Sequence, residues 1–474
     1  MGRWMDIGIV ALYILILIGM GLRGGKQVKS ARDFTAAGNR YGTLVIFASL
    51  SASYIGGGYS SGNAAHTYAD GIGTTLALFG FSLSMILIGK FLVPGVEQFP
   101  GITTVGGIMG QAYGRAAQIL TGIFSFLCCA GVVGAQMESM GMVFRVLLGI
   151  PEWAGILLGC GIVLVYSTLG GLQSVITADI IQFVLLAMGM PLLLAVGLHH
   201  TGGLGAMLAA VPPDHFNPFH GTTPIGFISL FLTMMLGEAL APPYTQRLLI
   251  GRNPRGTARG TILSGLFSIP FFIITGLIGL TACVLQVTTD PATAMPELIR
   301  AVLPIGMRGI LMAAMVSIIL SAADGFLNGA AVGLVCDAVM PLHPELSDRG
   351  QLRWLRGVNF AVGAMAVLVA LVVPDVFQIL VLAYSFWCPL ILVPLAAAFL
   401  GIRSDAQAFR ACLITGLAVT LIWTYCLRSP WGLDGTVVGT AANLGVFAWK
   451  THVFHKQEKT APQRIPCQKW KESQ

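Results

Sequence analysis

Long hydrophobic stretches separated by short polar segments run through the chain from end to end. Each stretch is long enough for a helix to cross about 30 Å of hydrocarbon. The pattern therefore predicts an all-α, polytopic membrane protein with about thirteen transmembrane helices. The predicted spans cover approximately residues 5–22, 42–69, 72–93, 118–145, 153–170, 178–198, 224–246, 261–287, 308–336, 357–373, 375–400, 406–427 and 434–450.

The second predicted span is interrupted by three consecutive glycines, Gly56 to Gly58. Glycine loses more conformational entropy in a helix than other residues, so we predict that the helix opens there. A glycine-rich helix packed closely on a neighbour is the alternative. An opened helix lines a cavity or is buried in protein, and its free carbonyl and N–H groups can hold ligands. Tyr54, Gly57 and Tyr59 at this opening are candidate substrate-binding residues.

The seventh predicted span carries an interruption of its own, Gly237 followed by Pro242 and Pro243. Two prolines disrupt the helical hydrogen-bond ladder, although an ordinary kink is the alternative. Paired interrupted spans in two oppositely oriented halves indicate an inverted-repeat secondary transporter. We predict a five-plus-five core in a single transmembrane transporter domain, with a disordered cytoplasmic tail. The predicted ranges are 1–450 for the domain, about 42–198 and 224–400 for the repeats, and 451–474 for the tail.

The distribution of positive residues predicts how the chain is oriented, because Lys and Arg concentrate in cytoplasmic segments. With the N-terminus outside, all but five of the 27 Lys and Arg residues lie on the inner side, and Arg247 is counted among the inner-loop cations. The exceptions are Arg3, Arg145, Arg300, Arg308 and Arg428. The prediction is a multi-pass protein of the cell (inner) membrane, with its N-terminus outside and its C-terminus cytoplasmic.

Composition narrows the class of function. The chain is 55% hydrophobic and only 10% charged, against about 25% charged in soluble domains. The net charge of +7 follows the membrane rule and does not indicate nucleic acid. The expected partners are a small-molecule substrate and the lipid bilayer, with no obligatory protein partner. No nucleophile–base or metal-ligand spacing indicates an enzyme. A transporter-like sensor is disfavoured because the two dozen residues after Lys450 are too few for a signalling domain.

Ionisable groups within membrane spans are candidates for function, and four acidic residues in the predicted spans stand out. They are Glu138, Asp179, Glu238 and Asp324. A helix N-terminal carboxylate is the structural alternative for Asp179. Hydrogen bonding to a facing helix is the alternative for Glu138 and Glu238.

The sequence resembles the sodium:solute symporter family over about residues 5–450. The most specific motif is Gly170, Gly171, Asp179 and Gln182, followed by the opening in the second span and the small-residue stretch 318–328. The segments YIGGGYSSGNAAHTYADG, GFSLSMILIGK and SAADG are most similar to the high-affinity choline transporter branch. The resemblance implies the fold of leucine-type amino-acid transporters and sodium-driven uptake of a small solute.

The resemblance also implies an ion site. Carried over by position, Na⁺ would be held by the backbone carbonyls of Ala52, Ile55 and Ile318 and by the hydroxyl of Ser321. A second hydroxyl of the family pattern is replaced by Ala322, and the threonine that usually precedes Asp179 is Ala178. Asp179 and Asp324 match aspartates near this region. The missing hydroxyl leaves a proton-coupled mechanism as the alternative to sodium.

The implied substrate site departs from the choline branch. Tyr54 and Phe81 fall on aromatic cage positions, whereas Cys129 and Ala241 stand where that branch has tryptophans. Binding of a quaternary ammonium group needs several aromatic rings. Glu138 and Glu238 are candidates to neutralise a cation. We predict import of a cationic or zwitterionic solute such as an amine or betaine, with a small carboxylate or other metabolite as the alternative.

Overall fold

The computed structural model describes residues 2–26, 30, 34, 41–373 and 375–460. Over these residues the chain is helical, with one isolated β-bridge between Tyr41 and Gly251. The α-helices are α1 (Gly2–Gly25), α2 (Thr43–Tyr54), α3 (Asn63–Asp70), α4 (Gly73–Leu87), α5 (Val105–Tyr113), α6 (Arg115–Leu148), α7 (Glu152–His200), α8 (Leu204–Ala210), α9 (Pro224–Leu236), α10 (Pro242–Leu249), α11 (Pro254–Leu285), α12 (Ala294–Val302), α13 (Met307–Leu334), α14 (Met340–Leu342), α15 (Asp348–Val372), α16 (Val376–Ser385), α17 (Val393–Phe399), α18 (Ala406–Leu421) and α19 (Gly435–Thr460).

Short segments of other helix types join several of these helices. The π-helical segments are Gly58–Gly62, Ile88–Leu92, Val335–Val339, Cys388–Leu392 and Ile422–Cys426. The 3₁₀ segments are Val93–Gln98, Pro213–Phe216, Pro291–Thr293 and Pro430–Gly432.

The prediction of an all-helical, polytopic membrane protein is confirmed. Within the described ranges, nine helical stretches are long and apolar enough to cross a membrane. Three shorter apolar helices cover Thr43–Tyr54, Glu152–Thr168 and Pro224–Leu236, and two of these three are the halves that precede the predicted interruptions. The count of about thirteen spans stays a prediction.

Helix α13 lies at the centre of the molecule. Its most apolar stretch of 18 residues is 94% buried, and the helix packs against α1, α6, α7 and α15. Glycines allow this close packing, because a Cβ at Gly329 would lie 3.1 Å from Pro243 and one at Gly333 would lie 3.2 Å from Ser125. Gly329 directly follows the small-residue stretch 318–328, and this part of α13 lies directly against the interrupted seventh span.

Three departures from regular helix are present, two of them at the predicted interruptions. Helix α2 ends at Tyr54, and helical structure resumes at Gly58. The seventh span is divided between α9 and α10. Within α7, Gly171 has φ +63° and ψ 179°, a conformation that favours glycine, so the chain changes direction at the predicted glycine pair.

Two expectations from the sequence need correction. Helix α19 continues to Thr460, so residues 451–460 of the predicted tail are helical, and residues 461–474 lie outside the described part of the chain. Arg247, counted above as a loop cation, is fully buried at the end of α10. It was misplaced because a positive residue directly after a predicted span resembles an ordinary cytoplasmic flank.

Candidate functional site

The opening after α2 changes the hydrogen-bond partners of backbone groups that would pair with each other in a continuous helix. The N–H of Gly56 donates to the carbonyl of Tyr54 at 2.8 Å, and the N–H of Gly57 donates to Gln136 Oε1 at 2.7 Å. In a regular helix Gly56 would donate to Ala52 instead. The carbonyl of Ala52, a predicted ion ligand, is therefore released from the helical ladder.

Close packing makes glycine necessary at this opening. A Cβ at Gly56 would lie 2.7 Å from the Cβ of Ala322 and would also clash with Gln136. A Cβ at Gly57 would clash with Ser139 on α6. The opening is thus buried between α6 and α13, as a break in a membrane helix has to be.

We expect Gly56→Ala to lower the free energy of unfolding by about 1–3 kcal/mol, because the new methyl group has no space. The matched control is Gly161→Ala in α7, where no atom lies within 4 Å of an added Cβ. That control should keep or slightly raise stability, since alanine is a better helix former by about 1 kcal/mol. Melting temperatures of the two purified variants check this, and equal values would contradict the packing described.

The interruption between α9 and α10 has a different geometry. Leu240 has φ +54°, a left-handed conformation that is unusual for a residue with a side chain. Thr245 Oγ1 donates to the Leu240 carbonyl at 2.7 Å, and the N–H of Ala241 donates to the Glu238 carbonyl at 3.0 Å. These bonds hold the turn that directs the side chain of Glu238 into the protein, where it is 2% exposed.

The carboxylate of Glu238 is the centre of a buried polar group. Tyr244 donates to one of its oxygens at 2.5 Å, and Tyr384 donates to the other at 2.9 Å. The hydroxyls of Tyr59 and Tyr384 lie 3.2 Å apart, so Tyr384 links the second span to Glu238 of the seventh. Trp387 is fully buried next to this group and donates from Nε1 to the carbonyl of Ala239 at 2.9 Å.

Further aromatic rings pack against the tyrosines of this group. Phe81 lies 4.6 Å from Tyr54 and 5.1 Å from Tyr59, measured between ring centroids. Phe272 lies 5.5 Å from Tyr59, and Tyr244 lies 6.5 Å from Tyr54. We call this set of rings, together with Glu238, Tyr384 and Trp387, the aromatic cluster. Four of the predicted substrate residues belong to it: Tyr54, Tyr59, Phe81 and Glu238.

Sequence reasoning missed half of the aromatic cluster. Tyr244 directly follows the two prolines of the seventh span, and Tyr384 and Trp387 occur in the segment YSFWCP of the eleventh. An aromatic residue beside a helix-breaking proline was the available signal.

Two of the predicted ion residues, Asp179 and Ser321, belong to a second buried polar group. One carboxylate oxygen accepts from Ser49 at 2.5 Å, from Ser53 at 3.4 Å and from Arg247 at 2.8 Å. The other oxygen accepts from Ser321 at 2.8 Å. Arg247 also donates from Nε to Ser49 at 2.8 Å. We call these five residues the Asp179 cluster; the carboxylate is an ion-pair partner and not merely a helix cap.

The other predicted ion residues lie on the same helices. Ala52, Ile55 and Ile318 are buried, at the end of α2 and along α13. Asp324 is also buried on α13 and accepts a hydrogen bond from Ser167. The structure therefore brings the C-terminal parts of α2 and α10 together with the middle of α7 and of α13.

Glu138 and Gly57 lie apart from the aromatic cluster. Glu138 lines a cavity of about 40 Å³ with His66, Ser139 and Asp375, and neither of its carboxyl oxygens has a hydrogen-bond partner among the described residues. The two candidate glutamates are thus in different surroundings. Gly57 lies against Gln136 and Ser139 on α6.

His66 and Asp375 also line a larger cavity of about 390 Å³. Its other walls include Thr74, Phe377 and Tyr425. These residues belong to helix ends that the predicted orientation places outside.

An all-helical chain with two interrupted helices around buried polar groups belongs to the structural class of broken-helix solute transporters. The profile of the sodium:solute symporter family matches residues 34–407. The chain belongs to the sodium:solute symporter family, as the sequence motifs predicted.

Relatives within this family have varied solutes. The chain is 23% identical to the high affinity choline transporter 1 of Homo sapiens, over 78% of this chain and 68% of that protein. It is 25% identical to the sodium/glucose cotransporter of Vibrio parahaemolyticus, over 78% and 74%. A solved structure of a Na⁺-coupled sialic acid symporter, substrate-bound and outward-open, superimposes with a TM-score of 0.79 at 17% identity, covering 95% of this chain and 98% of that one. At that identity the likeness shows that the two chains share a fold.

Proposed function

We propose that the protein is a secondary active importer of a small cationic or zwitterionic organic solute, such as an amine or betaine. The observation that carries this proposal is the carboxylate of Glu238, buried at a helix break and surrounded by aromatic rings. A buried carboxylate is stabilised by a positive partner, and aromatic faces attract the same kind of group. Alternating access would expose the aromatic cluster first to one side of the membrane and then to the other.

A small carboxylate is the weaker alternative. Binding of a carboxylate would require free N–H groups at the opening after α2, but the N–H of Gly57 already donates to Gln136. An anion near the aromatic cluster would also face the charge of Glu238. The hydrogen bond of Gly57 and the charge of Glu238 both favour a cationic group over an anionic one.

The coupling ion is a separate part of the proposal. Several relatives are named as sodium cotransporters, which favours a cation gradient as the driving force. A proton is the alternative, because Glu238 and Asp324 are buried carboxyl groups able to exchange one.

The proposal is tested by thermal melting of the purified protein in detergent with amines, betaines, amino acids and short carboxylates. A ligand that binds the folded state raises the melting temperature by mass action. We expect stabilisation by a cationic or zwitterionic solute, followed by its uptake into proteoliposomes. Stabilisation by carboxylates alone would contradict the proposed solute class.

We also propose that the protein lies in the cell inner membrane with its N-terminus outside. After the exposed Cys426 and the tail residue Cys467 are replaced by serine, Thr222→Cys and Pro344→Cys provide a matched pair of exposed thiols. We expect an impermeant maleimide to label Thr222→Cys in spheroplasts and Pro344→Cys only after permeabilisation. The reverse pattern would invert the predicted orientation.

A further inference from the structure

Glu138 is a buried carboxyl group outside the aromatic cluster, without a hydrogen-bond donor among the described residues. It lies on α6 at 0% exposure, and both of its oxygens are unpaired there. The charged groups that act on it most strongly are the carboxylates of Glu152 and Asp375. A buried carboxyl group in such surroundings either keeps a proton or pairs with a cation. The partner of Glu138 is therefore a proton or a ligand.

The cavity beside Glu138 has room for a small polar group. Its volume of about 40 Å³ exceeds the roughly 10–15 Å³ that one water molecule needs. Ser139 also lines this cavity, and its buried hydroxyl likewise has no partner in the described part of the chain. Two neighbouring side chains thus present unpaired oxygen atoms to one space. Because an unpaired buried polar group is costly, a ligand with hydrogen-bond donors is favoured there.

The charges around this cavity are mostly negative. Five carboxylates and two basic side chains lie here: Asp70, Glu138, Glu152, Asp290, Asp375, Arg145 and His66. Each basic side chain already pairs with two of these carboxylates, at 3.0–3.6 Å. Glu138 is the carboxylate of this set that no ion pair includes. Since negative charge raises the local concentration of cations, a positive ligand fits this cavity.

His66 and Phe377 cover the side of the cavity that the predicted orientation places outside. Their rings are 4.8 Å apart, and an added Cβ at Gly62 would lie 2.9 Å from the ring of Phe377. Both residues also line the larger cavity of about 390 Å³. They therefore lie between the two cavities, and separation of the two rings would join them.

The opposite side of the cavity meets the opening after α2. Ser61 lines the cavity and donates to the carbonyl of Gly57 at 2.9 Å, and Ser139 packs against Gly57 from α6. Tyr59 lies between Gly57 and Ser61 in sequence and belongs to the aromatic cluster. One short segment therefore contacts both the cavity of Glu138 and the aromatic cluster.

We propose that Glu138 and Ser139 form an outer site for an ammonium group with N–H donors, which the solute occupies before it reaches the aromatic cluster. This inference rests on the proposed import of a cationic or zwitterionic solute, and it narrows that solute to one whose nitrogen carries hydrogen. The carboxylate and the hydroxyl accept N–H bonds, whereas a quaternary ammonium group has no N–H to donate. Separation of the rings of His66 and Phe377 would admit the ammonium group from outside.

The first experiment isolates this site with methylammonium as the probe. Melting temperatures of the purified full chain are compared in methylammonium, tetramethylammonium, sodium and potassium chloride at equal ionic strength. The background is Glu238→Gln, which removes the other candidate partner of a cation. We expect a saturable rise of several degrees in methylammonium that tetramethylammonium and potassium do not give. Adding Glu138→Gln should abolish this rise and leave any response to sodium unchanged.

Other results of this experiment overturn the inference. No rise in methylammonium would mean that Glu138 keeps its proton, and a rise that survives Glu138→Gln would mean that the ligand binds elsewhere. A sodium response that Glu138→Gln abolishes would assign the site to a metal ion. An equal rise in tetramethylammonium that depends on Glu138 would contradict the need for N–H donors.

Control variants separate binding from folding. Glu97→Gln removes an exposed carboxylate in the 3₁₀ segment Val93–Gln98 and should keep the methylammonium response. Ser139→Ala removes the unpaired hydroxyl and should raise the half-maximal concentration of methylammonium roughly fivefold. If Glu138→Gln does not fold, Ser139→Ala decides the inference, and an unchanged half-maximal concentration overturns it.

The proposed function is decided separately. A cationic solute whose binding Glu238→Gln weakens supports it, whether or not Glu138 contributes. With that solute, Glu138→Gln should raise the KM of uptake into proteoliposomes roughly tenfold and leave the maximal rate unchanged. An unchanged KM would overturn the outer site and leave the proposed function standing. If no cationic solute binds, the proposed function fails, and the methylammonium experiment still decides whether Glu138 binds an ammonium group.

Discussion

Replacing Asp179 with alanine is expected to lower the free energy of unfolding by about 3–5 kcal/mol. The reason is that the guanidinium of Arg247 would remain buried without its carboxylate, an arrangement far costlier than the loss of the pair as a whole. Ser49 and Ser321 would also lose their acceptor. Thermal and chaotrope-induced unfolding in detergent measures the change.

A paired variant makes this prediction specific. The double substitution Asp179→Asn with Arg247→Gln removes both charges while nearly keeping their volumes, so it should be more stable than Asp179→Ala and Arg247→Ala. The control is Arg145→Ala, which breaks exposed ion pairs of 3.3 Å to Glu152 and 3.0 Å to Asp290. We expect that change to stay within about 1 kcal/mol. The single variants Asp179→Asn and Arg247→Gln complete the cycle, and a double-variant effect equal to the sum of these two would contradict the coupling.

Replacing Glu238 with glutamine is expected to weaken binding of a cationic solute roughly hundredfold or more, equivalent to about 3 kcal/mol. The substitution keeps the shape of the side chain and its place among the hydroxyls of Tyr244 and Tyr384. It removes only the charge that the solute would meet. Dissociation constants from ligand-dependent melting, measured with the solute that stabilises the natural chain, give the ratio.

Two comparisons show whether the effect belongs to the charge at this position. Glu297→Gln, in the short helix α12 and far along the chain from either interruption, should leave the dissociation constant unchanged. Tyr384→Phe should have an intermediate effect, because Glu238 would keep its charge and lose one donor. If Glu238→Gln binds the solute as tightly as the natural chain, the carboxylate is structural and the site lies elsewhere.

The helix interruptions could be predicted from sequence because their causes are local. Three adjacent glycines and two adjacent prolines disfavour a continuous helix wherever they occur. Gly171 likewise has a backbone conformation that its residue type allows. The lengths of the hydrophobic stretches are also a local property, and they predicted the helical class and the positions of most spans.

The partners of buried charges could not be predicted in the same way. Asp179 and Arg247 are 68 positions apart, and Glu238 and Tyr384 are 146 apart, so their pairing depends on how helices pack. The sequence predicted Glu138 and Glu238 equally as candidates to neutralise a cation, yet of these two only Glu238 is hydrogen-bonded to tyrosines. Arg247 was misjudged because its sequence context resembles that of a loop cation, whereas α10 turns it towards the core.

The burial of Trp387 gives the protein an optical reporter of its own. Its indole is bonded to Ala239, one residue from Glu238, whereas Trp4, Trp153, Trp354, Trp431 and Trp449 are largely exposed. Indole emission shifts to longer wavelength when the ring meets water. With the other tryptophans replaced by phenylalanine, fluorescence from this single ring would report, in real time and without an attached dye, when the interrupted seventh span opens to solvent.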